Sequence, residues 1–124
     1  MDMRDVKLVL SEEASKEYLE LQSIVGEEHA KGITSSENQS LLRSLERARE
    51  ILKVNPTYGD HVERKKIPKE YVQKYGIDNL WRVELSKYWR LLYTLKGSEV
   101  EIITFVLDIM DHERYDKLFG YRKK

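Results

Sequence analysis

The chain contains no cysteine. That excludes disulfides, thiolate metal sites and cysteine nucleophiles together. It has no net charge either: 22 Lys+Arg balance 22 Asp+Glu, so no overall field draws the whole molecule to a polyanion. Long apolar runs are missing as well. The longest, Ile102 to Leu107, has Thr104 inside it and is far too short to span a bilayer. The opening residues hold no apolar stretch of signal-peptide length and turn acidic at Glu12-Glu13, so a cytoplasmic protein with no membrane partner is expected. There is no Gly-rich phosphate loop and no serine-nucleophile motif. The three histidines are scattered, and Asp108, Asp111 and His112 make a poor ligand set without a residue from elsewhere. Neither a metal nor a cofactor is expected.

What is present suits one domain spanning 1–124 with one hydrophobic core. Hydrophobic residues, the eight tyrosines among them, make up 40% of the chain and can supply that core. Charged residues at 35% make the surface very polar. The zero balance conceals an asymmetry: residues 1–60 carry 8 Lys+Arg against 12 Asp+Glu, and residues 61–124 carry 14 against 10. A basic half offers a polyanion one side of the molecule, although uneven scatter of surface charge gives the same count.

The hydrophobic period changes along the chain. Val6 to Leu10 is β-branched and roughly alternating, which predicts a strand. Ser11 then stands at a helix N-cap, with Glu12 and Glu13 in the first turn, and Ala14, Tyr18, Leu21 and Val25 form one stripe. Gly26 is placed to end or loosen that helix, and Gly32 marks a turn. Thr34-Ser35-Ser36 supplies a second cap, before a stripe of Leu41, Leu45, Ala48 and Leu52 that Asn55-Pro56 and Gly59 terminate. His61 to Ile67 has modest strand character and ends at Pro68; Lys69 to Tyr75 has room for one or two helical turns. Strands follow at Trp81 to Leu85, at Trp89 to Lys96 and at Val100 to Ile109, with a turn at Lys96-Gly97-Ser98. The order is β-α-α-β-β-β-β with a short tail. This is an α+β arrangement whose tightly linked strands pair antiparallel beneath an N-terminal helical hairpin, with the first strand free to join an edge.

The segments Leu80-Trp81-Arg82-Val83-Glu84-Leu85 and Trp89-Arg90-Leu91-Leu92-Tyr93 resemble the signature strands of the RelE/ParE toxin superfamily. Ile103 to Asp108 followed by His112-Glu113-Arg114-Tyr115 resembles that superfamily's last strand and terminal catalytic segment. The likeness covers nearly the whole chain and is most similar to archaeal RelE-like members. It implies the toxin of a type II toxin–antitoxin system: a cytoplasmic endoribonuclease that cleaves mRNA on the ribosome and is neutralised by an antitoxin protein. Homodimers are compatible with it.

The resemblance assigns roles residue by residue. Metal-free RNA cleavage needs a base for the 2′-OH, an acid for the departing 5′-oxygen and cations for the phosphate. Arg90 falls where the family's sheet arginine contacts the scissile phosphate, a task suited to a permanently charged, two-pronged donor. The plainer reading of Arg90 is a strand arginine paired with Glu84 or Glu101. His112 falls on the family's imidazole or basic position; the plainer reading is a surface histidine. Arg82 matches a basic position, Arg114 and Tyr115 complete the site, and Glu63 matches a glutamate base. Leu118 or Phe119 stands where several members carry tyrosine, which moves that role to Tyr115 or Tyr121. Arg64, Lys65, Lys66 and Lys87 supply further contacts to RNA, within a stretch 61–96 that holds nine basic residues against four acidic. Trp81, Trp89 and Tyr93 offer stacking faces, or else they are ordinary core.

Two features favour a non-catalytic alternative. Glu84 occupies a position where RelE has a cation, and the chain lacks the strong positive charge that ribosome binding favours. The alternatives are a gyrase inhibitor of the ParE kind and a member that binds RNA or a partner without cutting.

Overall fold

The computed structural model describes residues 4–120. The elements are β1 (Asp5–Leu10), α1 (Glu12–Ala30), α2 (Glu37–Val54), β2 (Asp60–His61), α3 (Lys69–Tyr75), β3 (Trp81–Glu84), β4 (Arg90–Gly97), β5 (Glu101–Met110) and α4 (His112–Phe119). The strands form one sheet in the order β1-β5-β4-β3-β2. Both expected caps form. The Ser11 hydroxyl accepts the Ala14 amide at 3.0 Å, and the Ser36 hydroxyl accepts that of Gln39 at 3.1 Å, satisfying donors that the first turn leaves open.

Strand alternation sorts the side chains onto two faces. Val83, Leu85, Leu91, Tyr93, Val106 and Ile109 pack against the stripes of α1 and α2. Leu80, Leu92, Leu107 and Met110 point the other way, into a second cluster with Ile67, Tyr71, Ile77 and Tyr115. Register along β4–β5 slips between Leu92 and Tyr93: Leu92 faces Asp108, whereas Tyr93 faces Val106. This bulge turns Leu107 and Asp108 to the same face, so a carboxylate lands beside an apolar cluster. Ser11 donates its hydroxyl to the Leu107 carbonyl at 2.6 Å and ties the start of α1 to the bulge.

The structure departs from the sequence reading in four places. β1 joins the sheet edge as expected, but it runs parallel to β5, so the sheet is mixed and not wholly antiparallel. The helical hairpin and the strands after it supply the long crossover that parallel pairing demands. The expected strand from His61 to Ile67 shrinks to Asp60–His61 followed by a 3-10 turn at Arg64–Lys66. Val62 and Ile67 both belong to the second cluster, five residues apart, and an extended chain would send them to opposite faces. Gly26 does not end α1, which continues to Ala30. The short tail is a true helix, capped by Asp111, which accepts the Arg114 amide at 2.9 Å, and closed by Gly120 at φ 75°. No helix among the described residues is long and apolar enough to cross a membrane.

The chain leaving α2 is held against β4 by one phenol. Tyr93 donates to the Pro56 carbonyl at 2.7 Å and accepts the Gly59 amide at 3.0 Å. A Cβ on Gly59 would stand 2.8 Å from the Arg82 carbonyl and 2.9 Å from the Tyr93 hydroxyl. Gly59→Ala is therefore expected to destabilise the fold by about 1–3 kcal/mol, the usual cost of overpacking, in urea unfolding. A variant as stable as the wild type would show that this turn moves freely.

Candidate active site

The even-numbered residues of β3 and the start of β4 share the face that α4 covers, and this brings two arginines onto one ring. Arg82 of β3 donates to the Tyr115 hydroxyl at 2.7 Å, and its guanidinium carbon lies 5.8 Å from the Tyr115 ring centre. Arg90 of β4 approaches the same ring at 5.3 Å. Their side chains are only 29% and 16% exposed. Burial pulls against the charge on Arg82, but the Tyr115 hydroxyl and the Asp60 carboxylate outweigh it and hold its pKa above the ordinary value. The ring faces stabilise each cation by about 0.5–1 kcal/mol. The Nε groups of both arginines are buried without a protein acceptor. Two partly desolvated guanidinium groups on one face form a cradle for an anion such as a phosphodiester.

The ion pairs already present are weak ones. Arg90 meets Glu84 at 3.7 Å and Arg82 meets Asp60 at 3.5 Å, with both carboxylates well exposed. Arg90 owes its position to main-chain acceptors instead, donating to the carbonyls of Tyr88 at 2.7 Å and Trp89 at 3.3 Å. Those carbonyls belong to an unusual turn. Lys87 and Tyr88 take φ of 59° and 64°, left-handed values at two successive non-glycine residues, which cost on the order of 1 kcal/mol each. Ser44 of α2 holds the turn by accepting the Ser86 amide at 3.1 Å.

His112 opens α4 and is exposed, with its ring 6.0 Å from that of Tyr88 in an edge-on arrangement. Tyr88 therefore links the imidazole to Arg90. On the other side of Tyr115 an open cleft is lined by Glu63, Lys66, Arg82 and Tyr115, among others. Glu63 sits at this rim, paired with Lys65 at 3.7 Å and Lys66 at 3.6 Å. Arg64 is exposed on the same 3-10 turn. Lys87 stands 3.9 Å from Glu37 at the start of α2.

The structure thus gathers Arg82, Arg90 and Tyr115, sets His112 at one edge and Glu63 at the other, and turns Arg114 away. In a helix each residue rotates by about 100°, so Arg114 leaves the Tyr115 side and meets Asp108 at 3.8 Å and Glu17 at 3.9 Å. Tyr121 lies outside the described residues. Trp81, Trp89 and Tyr93 belong to the opposite face: Trp81 stacks on Tyr93 at 6.1 Å, and both tryptophans pack against the helix-side core. Tyr93 is fully buried, and the tryptophans are half-buried with one side against that core. Sequence reasoning passes over Tyr88, whose exposure depends on a turn that contains no glycine, and Asp60, which carries no motif.

No protein-family model and no curated protein matches the sequence. Solved structures do match. A YoeB/ParE toxin from Agrobacterium tumefaciens superposes with a TM-score of 0.52 at 18% identity, covering 86% of this chain and 98% of the toxin. A YoeB dimer from Staphylococcus aureus gives 0.51 at 12% identity, covering 87% of this chain and 98% of that one. The fold is that of the YoeB/ParE toxins. At such identities the likeness establishes the architecture, and the site rests on the geometry above.

Behind α4, the bulge leaves Asp108 only 8% exposed, accepting the Tyr71 hydroxyl at 2.6 Å. Burial raises the Asp108 carboxyl above its usual range, against the pull of Tyr71 and Arg114. A raised native value means that the folded state binds the proton more tightly than the unfolded chain does. The contribution of Asp108 to stability therefore falls as pH rises from the ordinary carboxylate range through that raised value. Asp108→Asn keeps an acceptor for Tyr71 and has no charge to desolvate. Its melting temperature should exceed that of the wild type at pH 7, with the gap closing on acidification. A variant that melts earlier at pH 7 would mean that attraction to Arg114 outweighs burial.

Proposed function

We propose that this chain is the single-domain toxin of a type II toxin–antitoxin pair, acting in the cytoplasm by cleaving mRNA on the ribosome. The observation that carries the reading is the convergence of Arg82 and Arg90, from adjacent strands, on the buried ring of Tyr115. The YoeB/ParE fold supports the toxin assignment, and with it an antitoxin protein as partner. The Staphylococcus aureus neighbour is described as a dimer, and a homodimer is part of the proposal.

The mechanism needs no group beyond those of the chain. Arg82 and Arg90 bind the non-bridging oxygens of the scissile phosphate and stabilise the charge that grows as the 2′-oxygen attacks phosphorus. Glu63, across the cleft, takes the 2′-OH proton. His112, solvent-exposed and beside Arg90's anchor, gives a proton to the 5′-oxygen as the P–O5′ bond breaks. Arg64, Lys65, Lys66 and Lys87 steer the flanking phosphates. Arg114 serves the fold by pairing with Asp108 and has no part in the chemistry. Glu84 competes with the phosphate for Arg90 through a long, exposed contact that an incoming phosphate displaces.

That same contact is the specific observation favouring the second reading, in which the protein binds a partner such as gyrase, or RNA, without cutting. Purified protein added to translating ribosomes, with 5′ ends mapped by primer extension, separates the two. Cuts in the ribosomal A site are expected. Arg90→Ala should lower the cleavage rate by about 10²–10³ and His112→Ala by about 10²–10⁴, while Arg114→Ala stays within a few-fold of wild type. Intact message alongside arrested growth would move the assignment to the binding reading.

A further inference from the structure

Tyr88 is 73% exposed, yet its backbone is held at φ 64° directly after Lys87 at φ 59°. Both residues carry a steric cost that glycine would avoid. The turn does not slacken to relieve it. Leu85 donates to the Trp89 carbonyl at 2.8 Å, Trp89 to that of Ser86 at 3.3 Å, and Ser44 fixes the Ser86 amide at 3.1 Å. The result presents an exposed aromatic ring while its carbonyl anchors Arg90 at 2.7 Å and its ring centre lies 6.0 Å from that of His112.

From this we infer that Tyr88 is a stacking platform for a nucleobase of the bound RNA, next to the phosphate held by Arg90. The inference rests on the RNA-cleavage reading and adds the element that fixes a base to it. A flat, exposed ring beside a partly buried guanidinium matches a nucleotide, which brings an aromatic face and a phosphate on one short tether. The two tryptophans are half-buried on the helix-side face of the sheet, not on the face that carries Arg90. Tyr88 positions RNA and takes no proton in the reaction.

The decisive variant is Tyr88→Gly. It keeps the carbonyl that anchors Arg90, suits the left-handed backbone and removes only the ring. Tyr88→Phe and Tyr88→Trp retain a ring. In the ribosome assay, Tyr88→Gly should melt no earlier than wild type but need about tenfold more protein for half-maximal cleavage, as loss of one stacked base predicts. Tyr88→Phe and Tyr88→Trp should stay within about threefold of wild type, because stacking tolerates any aromatic face. Cleavage by Tyr88→Gly at the wild-type concentration dependence would overturn the platform while leaving the nuclease reading in place. Failure of Tyr88→Phe alongside Tyr88→Gly would overturn it too, since the hydroxyl and not the ring would then matter. If the wild type itself makes no cuts, both the platform and the reading beneath it fall.

Discussion

The contact on which the rest depends is the meeting of two guanidinium groups with the ring of Tyr115. The ring is 3% exposed and belongs to the second core cluster, so α4 cannot leave the sheet without opening that cluster. Its hydroxyl accepts from Arg82 and its face lies 5.3 Å from Arg90. One side chain therefore serves as both core and cradle. It fixes the angle at which α4 starts, and hence where His112 stands. Like charges crowded onto an apolar face are costly unless something offsets them. Here Asp60, Glu84 and the Tyr88 carbonyl offset them only in part, and in the proposed function a phosphate completes the set.

The bulge in β5 has the next widest consequences. By turning Leu107 and Asp108 to one face it buries a carboxylate beside Tyr71 and gives Arg114 a partner away from the cradle. It also places a carbonyl where Ser11 satisfies it, so the cap of α1 and the register of the central strand are set together. The strained turn at Lys87 and Tyr88 is a third device of this kind. Its hydrogen bond to α2 offsets the strain, and it delivers the carbonyl that aims Arg90.

Much of this is legible in the residues because it follows local rules. The period of three and four in α1 and α2, the serine caps, and the alternation in β3 are local signals of this kind. Arg82 and Arg90 share a face only through the register of β3 on β4, which sets Arg82 opposite Leu92 and Glu84 opposite Arg90. Other features depend on tertiary pairing. Nothing in Val6 to Leu10 states that β1 runs parallel to β5, and nothing in Leu107-Asp108 announces a bulge. The tail reads as a short segment although Asp111 and Gly120 are sound helix boundaries, and that reading sets Arg114 beside Tyr115 in the site. Helical rotation separates them. Tyr88 leaves no trace at all, since left-handed turns are ordinarily signalled by glycine or asparagine.

The central claim is that the arginine pair and His112 carry out transesterification by the RNA's own 2′-OH. The chemistry of the cut ends tests it most directly. RNA recovered from translating ribosomes treated with the protein should bear 5′-hydroxyl ends downstream of each cut and 2′,3′-cyclic or 3′-phosphate ends upstream. Downstream fragments carrying 5′-phosphates would contradict the account, because they require water and not the 2′-oxygen to have attacked the phosphorus.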